Sequence, residues 1–85
     1  MTDERKKALN NLKTAKGQIE GIIKMINDDR YCIDISNQIE ASISILKKAN
    51  FQILEGHLNN CIKNDLKDNS QEKIDEILKV IKRMI

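Results

Sequence analysis

Apolar residues recur every three or four positions along the first third of the chain, which is the spacing of one face of an α-helix. This stripe consists of Leu9, Leu12, Ala15, Ile19, Ile22, Ile23 and Ile26. It stops at the polar segment NDDR, residues 27–30, whose asparagine and aspartates favour turns and helix N-caps. The pattern predicts one amphipathic helix that ends at this segment. Gly17 and Gly21 lie inside this helix, where each glycine lowers the helix stability by roughly 1 kcal/mol relative to alanine. A close helix–helix approach would explain why glycine occurs there.

The second apolar segment is long and runs from about Cys32 to Lys63 without a proline, with only Gly56 as a weak helix breaker. Its apolar residues cover more than one face of a helix. They are Ile33, Ile35, Ile39, Ile43, Ile45, Leu46, Phe51, Ile53, Leu54, Leu58 and Ile62. A helix that is apolar on several sides needs more partners than two shorter helices of its own chain provide. We therefore expect the protein to form oligomers.

A third, shorter helix follows the polar segment KDNSQEK, residues 67–73. Its apolar residues form a single stripe at Ile74, Ile77, Leu78 and Ile81. The 85-residue chain contains no proline, three glycines and two aromatic residues, and this composition favours helices. The predicted fold is all-α, a single domain over residues 1–85 that consists of a helix, a long central helix and a short helix.

Charge and composition restrict the function less than they restrict the fold. The formal net charge is +2, which is too small to indicate nucleic-acid binding by itself. No apolar run approaches the roughly 20 residues that cross a bilayer, and the N-terminal sequence MTDERKKALNN lacks the apolar stretch of a signal peptide. We therefore expect a cytosolic protein without a membrane partner. A single histidine, with no paired carboxylates near it and no glycine-rich phosphate loop, predicts that the chain is not an enzyme.

The candidate chemistry lies in EGHLNNC, residues 55–61, where the only histidine precedes one of the two cysteines by four positions. On a helix, side chains four residues apart share a face with Cβ atoms about 5–6 Å apart, so His57 and Cys61 can bind one metal ion. Taken alone, the pair is also typical of an exposed histidine and of a cysteine buried as a small hydrophobic residue.

Cys32 is the second thiol, and its distance from the pair decides how a site can form. Along a continuous helix, the 25 residues from Cys32 to His57 span roughly 37 Å at about 1.5 Å per residue. One chain therefore cannot bring the three side chains together. An antiparallel pair of long helices can, because Cys32 of one chain then meets His57 and Cys61 of the other, and two-fold symmetry gives two sites per dimer.

Two thiolates and one imidazole form a soft ligand set. Such a set suits Cu(I), which accepts three ligands, or Zn(II) if a fourth ligand joins. The set contains no carboxylate, which disfavours Mg²⁺ and Ca²⁺. An inter-subunit site of this composition would therefore suit either Cu(I) or, with a fourth ligand, Zn(II).

Two segments of the chain resemble a known family. They are GQIEGIIKMINDDRYCIDISNQI, residues 17–39, and ILEGHLNNC, residues 53–61, and the similarity extends over nearly the whole chain. The sequence resembles the CsoR/RcnR family of metal-sensing transcriptional repressors. The spacing of Cys32, His57 and Cys61 is similar to that of the Cu(I)-sensing branch of this family.

The resemblance implies both a fold and a mechanism. The family folds as a three-helix protomer whose dimer core is an antiparallel four-helix bundle, with tetramers built from two dimers and no helix-turn-helix. Its metal-free form binds operator DNA, and Cu(I) binding across the dimer interface releases the DNA and derepresses copper efflux genes. By resemblance we expect a homodimer or homotetramer that has operator double-stranded DNA as its partner.

The resemblance also assigns roles to single residues. Cys32, His57 and Cys61 match the three metal ligands, and Tyr31 matches a tyrosine that precedes the first cysteine and supports the site. A family glutamate of the third helix falls on Glu76 if the loop before this helix is one residue short. Supporting groups of this kind hold the free ring nitrogen of the histidine in a hydrogen-bond network.

The DNA-contacting segment of the family matches this chain only in part. Where the family's first helix reads Arg-Leu-Lys-Arg-Ile-Glu-Gly-Gln, this chain reads NLKTAKGQ, residues 11–18, which keeps Lys13. Lys47 and Lys48 occupy the family's basic stretch on the second helix. The resemblance therefore assigns phosphate contacts to Lys13, Lys47 and Lys48. The missing arginines leave the affinity and the sequence of the operator open.

Other branches of the family fit less well. Nickel and cobalt sensors use an extra histidine that this chain lacks, persulfide sensors lack the histidine that it has, and formaldehyde sensors lack the second cysteine. Two alternatives from other classes stay open. One is a thiol redox or persulfide-responsive repressor in which Cys32 and Cys61 of two chains form a disulfide and His57 activates a thiol. The other is a structural helical oligomer.

Overall fold

The computed structural model describes residues 1–64 and 70–84, and the side chains of residues 1–59 and 71–84. It contains three α-helices: α1 spans Asp3–Asn27, α2 spans Cys32–Asn64 and α3 spans Ser70–Met84. These described residues form no β-strand, and the predicted all-α fold with a long central helix is confirmed. The predicted break at residues 67–73 is described only from Ser70 onward, since residues 67–69 lie outside the described part. None of the described helices has the length and the apolar content of a membrane span.

The NDDR segment ends α1 and turns the chain back, as predicted. α1 ends at Asn27. Asp29 adopts a left-handed backbone conformation with a φ of 54°, which aspartate tolerates better than most residues. The carbonyl of Tyr31 accepts a hydrogen bond from the N–H of Ile35 at 3.1 Å, at the start of α2. Residues 28–31 thus join α1 and α2 into a helical hairpin.

Three hydrogen-bonded side-chain pairs fix the register between α1 and α2. Asn59 donates to Glu4 at 2.9 Å, Asn11 donates to Gln52 at 2.8 Å, and Ser42 donates to Gln18 at 2.9 Å. We call these three pairs the polar ladder. The α1 members are seven residues apart and therefore share one face of the helix, and the reversed order of their partners shows that α1 and α2 are antiparallel. A slip of one helix along the other would break all three pairs and leave their polar groups unsatisfied.

Small residues occupy most of the buried positions between α1 and α2. The described residues that are buried in the hairpin repeat every seven positions on each helix. They are Ala8, Ala15 and Ile22 on α1, and Ser42, Ala49 and Gly56 on α2. No large side chain among the described residues is fully buried. The hairpin is therefore held by a narrow seam of small and polar groups that lets the two helices approach closely.

The aliphatic stripe of α1 lies mostly outside this seam. Of its members only Ala15 and Ile22 are buried, and the exposed fraction reaches 55% at Ile23 and Ile26. Large apolar side chains of α2 are likewise 41–54% exposed at Ile33, Ile39, Ile43 and Leu46. The apolar stripe of α1 thus marks a face that the protomer leaves mostly uncovered, which agrees with the expected need for a partner.

α3 packs on the second half of α2. Ile77 is buried and shares a cavity wall with Phe51 and Leu58 of α2. At the C-terminal end of α3, the side-chain amide of Asn50 donates to the sulfur of Met84 at 3.1 Å. α3 therefore runs back along α2 toward the middle of the long helix.

The glycines of α1 do not serve a close helix contact within the protomer. A Cβ atom at Gly17 or at Gly21 would have no neighbour within 4 Å in the protomer, so neither glycine is needed for close packing of this hairpin. Gly56 of α2 is the tight position instead, because a Cβ atom there would lie 3.1 Å from the Cβ of Glu4.

Gly17→Ala and Gly21→Ala are each expected to raise the free energy of unfolding by about 0.5–1 kcal/mol, because alanine is the better helix former and meets no neighbour at either position. Gly56→Ala is the matched control. It is expected to give no gain or a loss, since the Cβ of Glu4 must move by a few tenths of an ångström. Chemical denaturation of the three variants at one protein concentration measures the difference. Equal gains at all three positions would contradict close packing at Gly56.

Candidate metal centre

The predicted metal ligands are distributed along α2. Cys32 is the first residue of this helix, and its thiol is exposed. His57 lies in the last third of the helix and is also exposed, so its imidazole is open to a ligand. Cys61 follows one turn later in the same helix, and its side chain lies outside the described residues. The chain is helical at every position from Cys32 to Cys61.

This continuity keeps the three residues from meeting within one chain. The 25 residues from Cys32 to His57 span roughly 37 Å of helix. Among the described side chains, no group of three or more histidines, cysteines, aspartates or glutamates is placed to hold a metal ion. The structure puts His57 on the same side of α2 as the Cys61 position and leaves Cys32 at the far end. One protomer thus presents two separated parts of the predicted site.

The two supporting residues taken from the resemblance are Tyr31 and Glu76. Tyr31 directly precedes α2 and is 67% exposed, so it shares the Cys32 end of the helix. Like Cys32, it reaches a His57 side chain only if a second chain supplies that histidine. Glu76 is exposed on α3 beside Lys79. Its assignment depends on the length of a loop that lies outside the described residues.

A contact that the sequence analysis missed lies next to His57. Glu4, in the first turn of α1, accepts a hydrogen bond from Asn59, and its Cβ faces the backbone of Gly56. Gly56 directly precedes His57, and Asn59 follows it by two residues. In the sequence, only Gly56 indicated this contact. A glycine inside a helix lowers its stability by about 1 kcal/mol relative to alanine, and therefore often marks a position where another group packs closely.

The three predicted DNA-contacting lysines lie at one level of the hairpin. Lys13, Lys47 and Lys48 are all exposed. On α2, both lysines lie between Ser42 and Gln52, and Lys13 lies between the α1 partners of these two residues in the polar ladder. The lysines therefore occur in the middle of the hairpin, whereas the predicted metal ligands occur toward its two ends.

The family described as "Metal-sensitive transcriptional repressor" matches residues 4–83 of the chain. The protein belongs to this family. The match spans all three helices, and the resemblance noted in the sequence is confirmed. Transcriptional repressors are not enzymes, so the prediction that this repressor is not an enzyme is confirmed as well.

Copper-sensing relatives align with nearly the whole of this repressor. The copper-sensing transcriptional repressor CsoR of Mycobacterium ulcerans (strain Agy99) is 41% identical over 83 residues, which are 96% of this chain and 71% of that protein. The copper-sensing transcriptional repressor CsoR of Bacillus subtilis (strain 168) is 37% identical over 81 residues, which are 94% of this chain and 80% of that protein.

A solved structure shows the same fold. The crystal structure of the copper-sensing repressor CsoR with Cu(I) from Geobacillus thermodenitrificans NG80-2 is 36% identical in sequence to this repressor. The two superpose with a TM-score of 0.79, and the superposition covers 99% of this chain and 88% of that chain. The predicted three-helix protomer of this repressor is thereby confirmed.

Proposed function

We propose that the protein is a Cu(I)-responsive transcriptional repressor. In this proposal the metal-free protein binds operator DNA, and Cu(I) binding releases the DNA and derepresses copper efflux genes. The observation that carries the proposal is a histidine and a cysteine one turn apart on a helix that begins with a second cysteine, in a chain similar over its length to copper-sensing repressors. A repressor works where the DNA is, so the proposal places the protein in the cytoplasm.

The proposed Cu(I) site is shared between two protomers. Two α2 helices packed antiparallel place Cys32 of one protomer beside His57 and Cys61 of its partner. The three side chains can then meet, although Cys32 and His57 of the same chain remain roughly 37 Å apart. The exposure of Cys32 and His57 leaves both side chains open to a partner. Two thiolates and one imidazole would hold Cu(I) with three ligands, whereas Zn(II) would favour a fourth.

The uncovered aliphatic faces support a dimer of this kind. Ile39, Ile43 and Leu46 of α2 are 41–43% exposed and share a cavity wall with Ile19 and Ile23 of α1, which are 45–55% exposed. Moving one such side chain from half exposed to buried contributes about 1 kcal/mol. Because the apolar face extends over both helices, two hairpins packed face to face form an antiparallel four-helix bundle. Two such dimers make the proposed homotetramer.

The proposed DNA surface consists of Lys13, Lys47 and Lys48. Each lysine can form an ion pair with one DNA phosphate, and every protomer of the oligomer carries the same three lysines. A long antiparallel hairpin differs from a helix-turn-helix, in which a second helix enters the major groove. The proposed binding therefore depends on phosphate contacts from an exposed helical surface.

In the proposed response, His57 links metal binding to the position of α3. One ring nitrogen binds the ion, and the N–H of the other donates to Tyr31 or Glu76; the bond to Glu76 would tie α3 to the bundle of α2 helices. Regulation of this kind needs a coupling free energy of about 1–3 kcal/mol, and DNA must then weaken Cu(I) binding by the same factor by which Cu(I) weakens DNA binding.

An anaerobic titration with Cu(I) against a competing chelator, combined with an operator-binding assay, tests the proposed function. We expect tight binding of one Cu(I) per protomer and, at saturation, an operator affinity about tenfold to a hundredfold lower. The matched control replaces Cu(I) by a thiol oxidant, because a disulfide between Cys32 and Cys61 would mark a redox switch. The proposal would be contradicted if the oxidant released the operator DNA and Cu(I) did not, or if the protein bound Cu(I) and kept its operator.

A further inference from the structure

Glu4 connects the first turn of α1 to the turn of α2 that carries His57. Its carboxylate accepts a hydrogen bond from Asn59 at 2.9 Å, and its Cβ lies 3.1 Å from the position that a Cβ at Gly56 would occupy. Gly56 is buried and Asn59 is half-buried, although His57 between them is exposed. α1 therefore packs on the helix backbone just before His57 and is hydrogen-bonded to the side chain just after it.

The other two pairs of the polar ladder are farther from the proposed ligand. Gln52 precedes His57 by five residues, and Ser42 precedes it by fifteen residues, roughly 22 Å along α2. All three pairs set the register of the hairpin. Only the Glu4–Asn59 pair also holds the helical turn that contains His57.

α1 provides a stiff path from this contact to the proposed DNA surface. The helix is unbroken from Asp3 to Asn27. Lys13 follows Glu4 by nine residues, roughly 13 Å along the helix axis. Because backbone hydrogen bonds hold every turn between them, a displacement of the first turn of α1 moves Lys13 as well.

We propose that Glu4 is a positioning residue that transmits the occupancy of the metal site to α1. This inference rests on the proposed function and adds a route through α1 that is separate from the link between His57 and α3. Ligation of His57 draws its helical turn toward the partner subunit. The hydrogen bond from Asn59 and the contact at Gly56 make α1 follow, so that the lysine on α1 leaves its phosphate.

Asn59→Ala removes the hydrogen bond and leaves the proposed ligands and lysines in place. The variant is expected to bind Cu(I), and to bind operator DNA without metal, within about twofold of the unmodified protein. The loss of operator affinity caused by Cu(I), however, is expected to become about threefold to tenfold smaller, because the hydrogen bond to α1 is removed while the contact at Gly56 and the separate link to α3 remain. Glu4→Gln keeps a carbonyl acceptor for Asn59 and is expected to retain the full response.

Ser42→Ala is the matched control for the loss of a polar pair. It removes the hydrogen bond to Gln18 at a distance from His57, and it is expected to lower the stability of the hairpin without changing the Cu(I) response. Fluorescence anisotropy of a labelled operator, with and without saturating Cu(I), measures the response of all four proteins. A full response in Asn59→Ala, or an equal loss of response in Ser42→Ala, overturns the positioning role.

The unmodified protein separates this inference from the proposed function. If Cu(I) does not release its operator, the proposed function and the inference both fail. If the unmodified protein releases the operator and Asn59→Ala releases it equally, only the inference fails. Hydrogen exchange gives a second readout without any variant, because Cu(I) is expected to change the protection of the amides in the first turns of α1. Unchanged protection there would also overturn the inference.

Discussion

Cys32→Ala and His57→Ala are each expected to abolish tight Cu(I) binding, although the two positions lie roughly 37 Å apart in one chain. The reason is that each proposed site takes Cys32 from one protomer and His57 with Cys61 from the other. Removing Cys32 leaves a thiolate and an imidazole, and removing His57 leaves two thiolates. Either pair holds Cu(I) more weakly than the three ligands together. Competition with a Cu(I) chelator under anaerobic conditions measures the loss.

A mixed dimer of these two variants is expected to recover one site. The Cys32→Ala chain supplies His57 and Cys61, the His57→Ala chain supplies Cys32, and the second site of the same dimer lacks both residues. Two different affinity tags allow the mixed dimer to be purified, and one tightly bound Cu(I) per dimer is the expected stoichiometry. The matched control carries the same two tags on two Cys32→Ala chains and should bind none tightly. A mixed dimer without tight binding would exclude the inter-subunit geometry.

The triple variant Lys13→Ala, Lys47→Ala and Lys48→Ala is expected to lose most of its operator affinity. Each phosphate contact contributes about 0.9 to the slope of log affinity against log salt concentration, so three lost contacts per bound protomer flatten that slope by about 3. The affinity is expected to fall for all sequences alike, because phosphate contacts carry no base-specific information. Operator titrations at several salt concentrations measure both quantities.

A charge-matched triple variant tests whether position or charge alone matters. Lys6, Lys7 and Lys24 are also exposed, and they lie near the two ends of α1, away from the middle of the hairpin. Their replacement by alanine removes the same charge and is expected to leave the salt slope nearly unchanged. An unchanged affinity and slope in the first triple variant would place the DNA surface elsewhere on the protein.

The helices and their ends were predictable from the sequence because they depend on local chemistry. NDDR ends α1 and α2 begins at Cys32, as the turn-forming residues and the renewed apolar pattern indicated. The location of His57 and Cys61 on one face of α2 was equally predictable, since positions four residues apart share a helix face whatever the helix packs against. The distance of Cys32 from this pair was predictable as well, because the rise per residue of a helix is fixed and the distance depends only on the number of residues between them.

The packing of the hairpin was not predictable in the same way. Apolar periodicity finds the most hydrophobic face of α1, and that face is the one that the protomer leaves exposed at Leu12, Ile19 and Ile23. The face that packs on α2 carries alanines and amide side chains, which hydropathy does not distinguish from a solvent-exposed surface. The contact between Glu4 and Asn59 joins residues 55 positions apart, and no local pattern reports such a pair.

The narrow seam between α1 and α2 also bears on how the protein persists in a cell. A chain that has formed only its own hairpin keeps its aliphatic side chains in water, and surfaces of this kind are recognised by chaperones and proteases. In the proposed assembly, the folded population therefore grows with copy number by mass action. We therefore expect a cell that synthesises few copies to lose a larger fraction of them to proteolysis before they assemble. The lowest supply that sustains repression then depends on how tightly protomers associate as well as on how tightly the assembled repressor holds its operator.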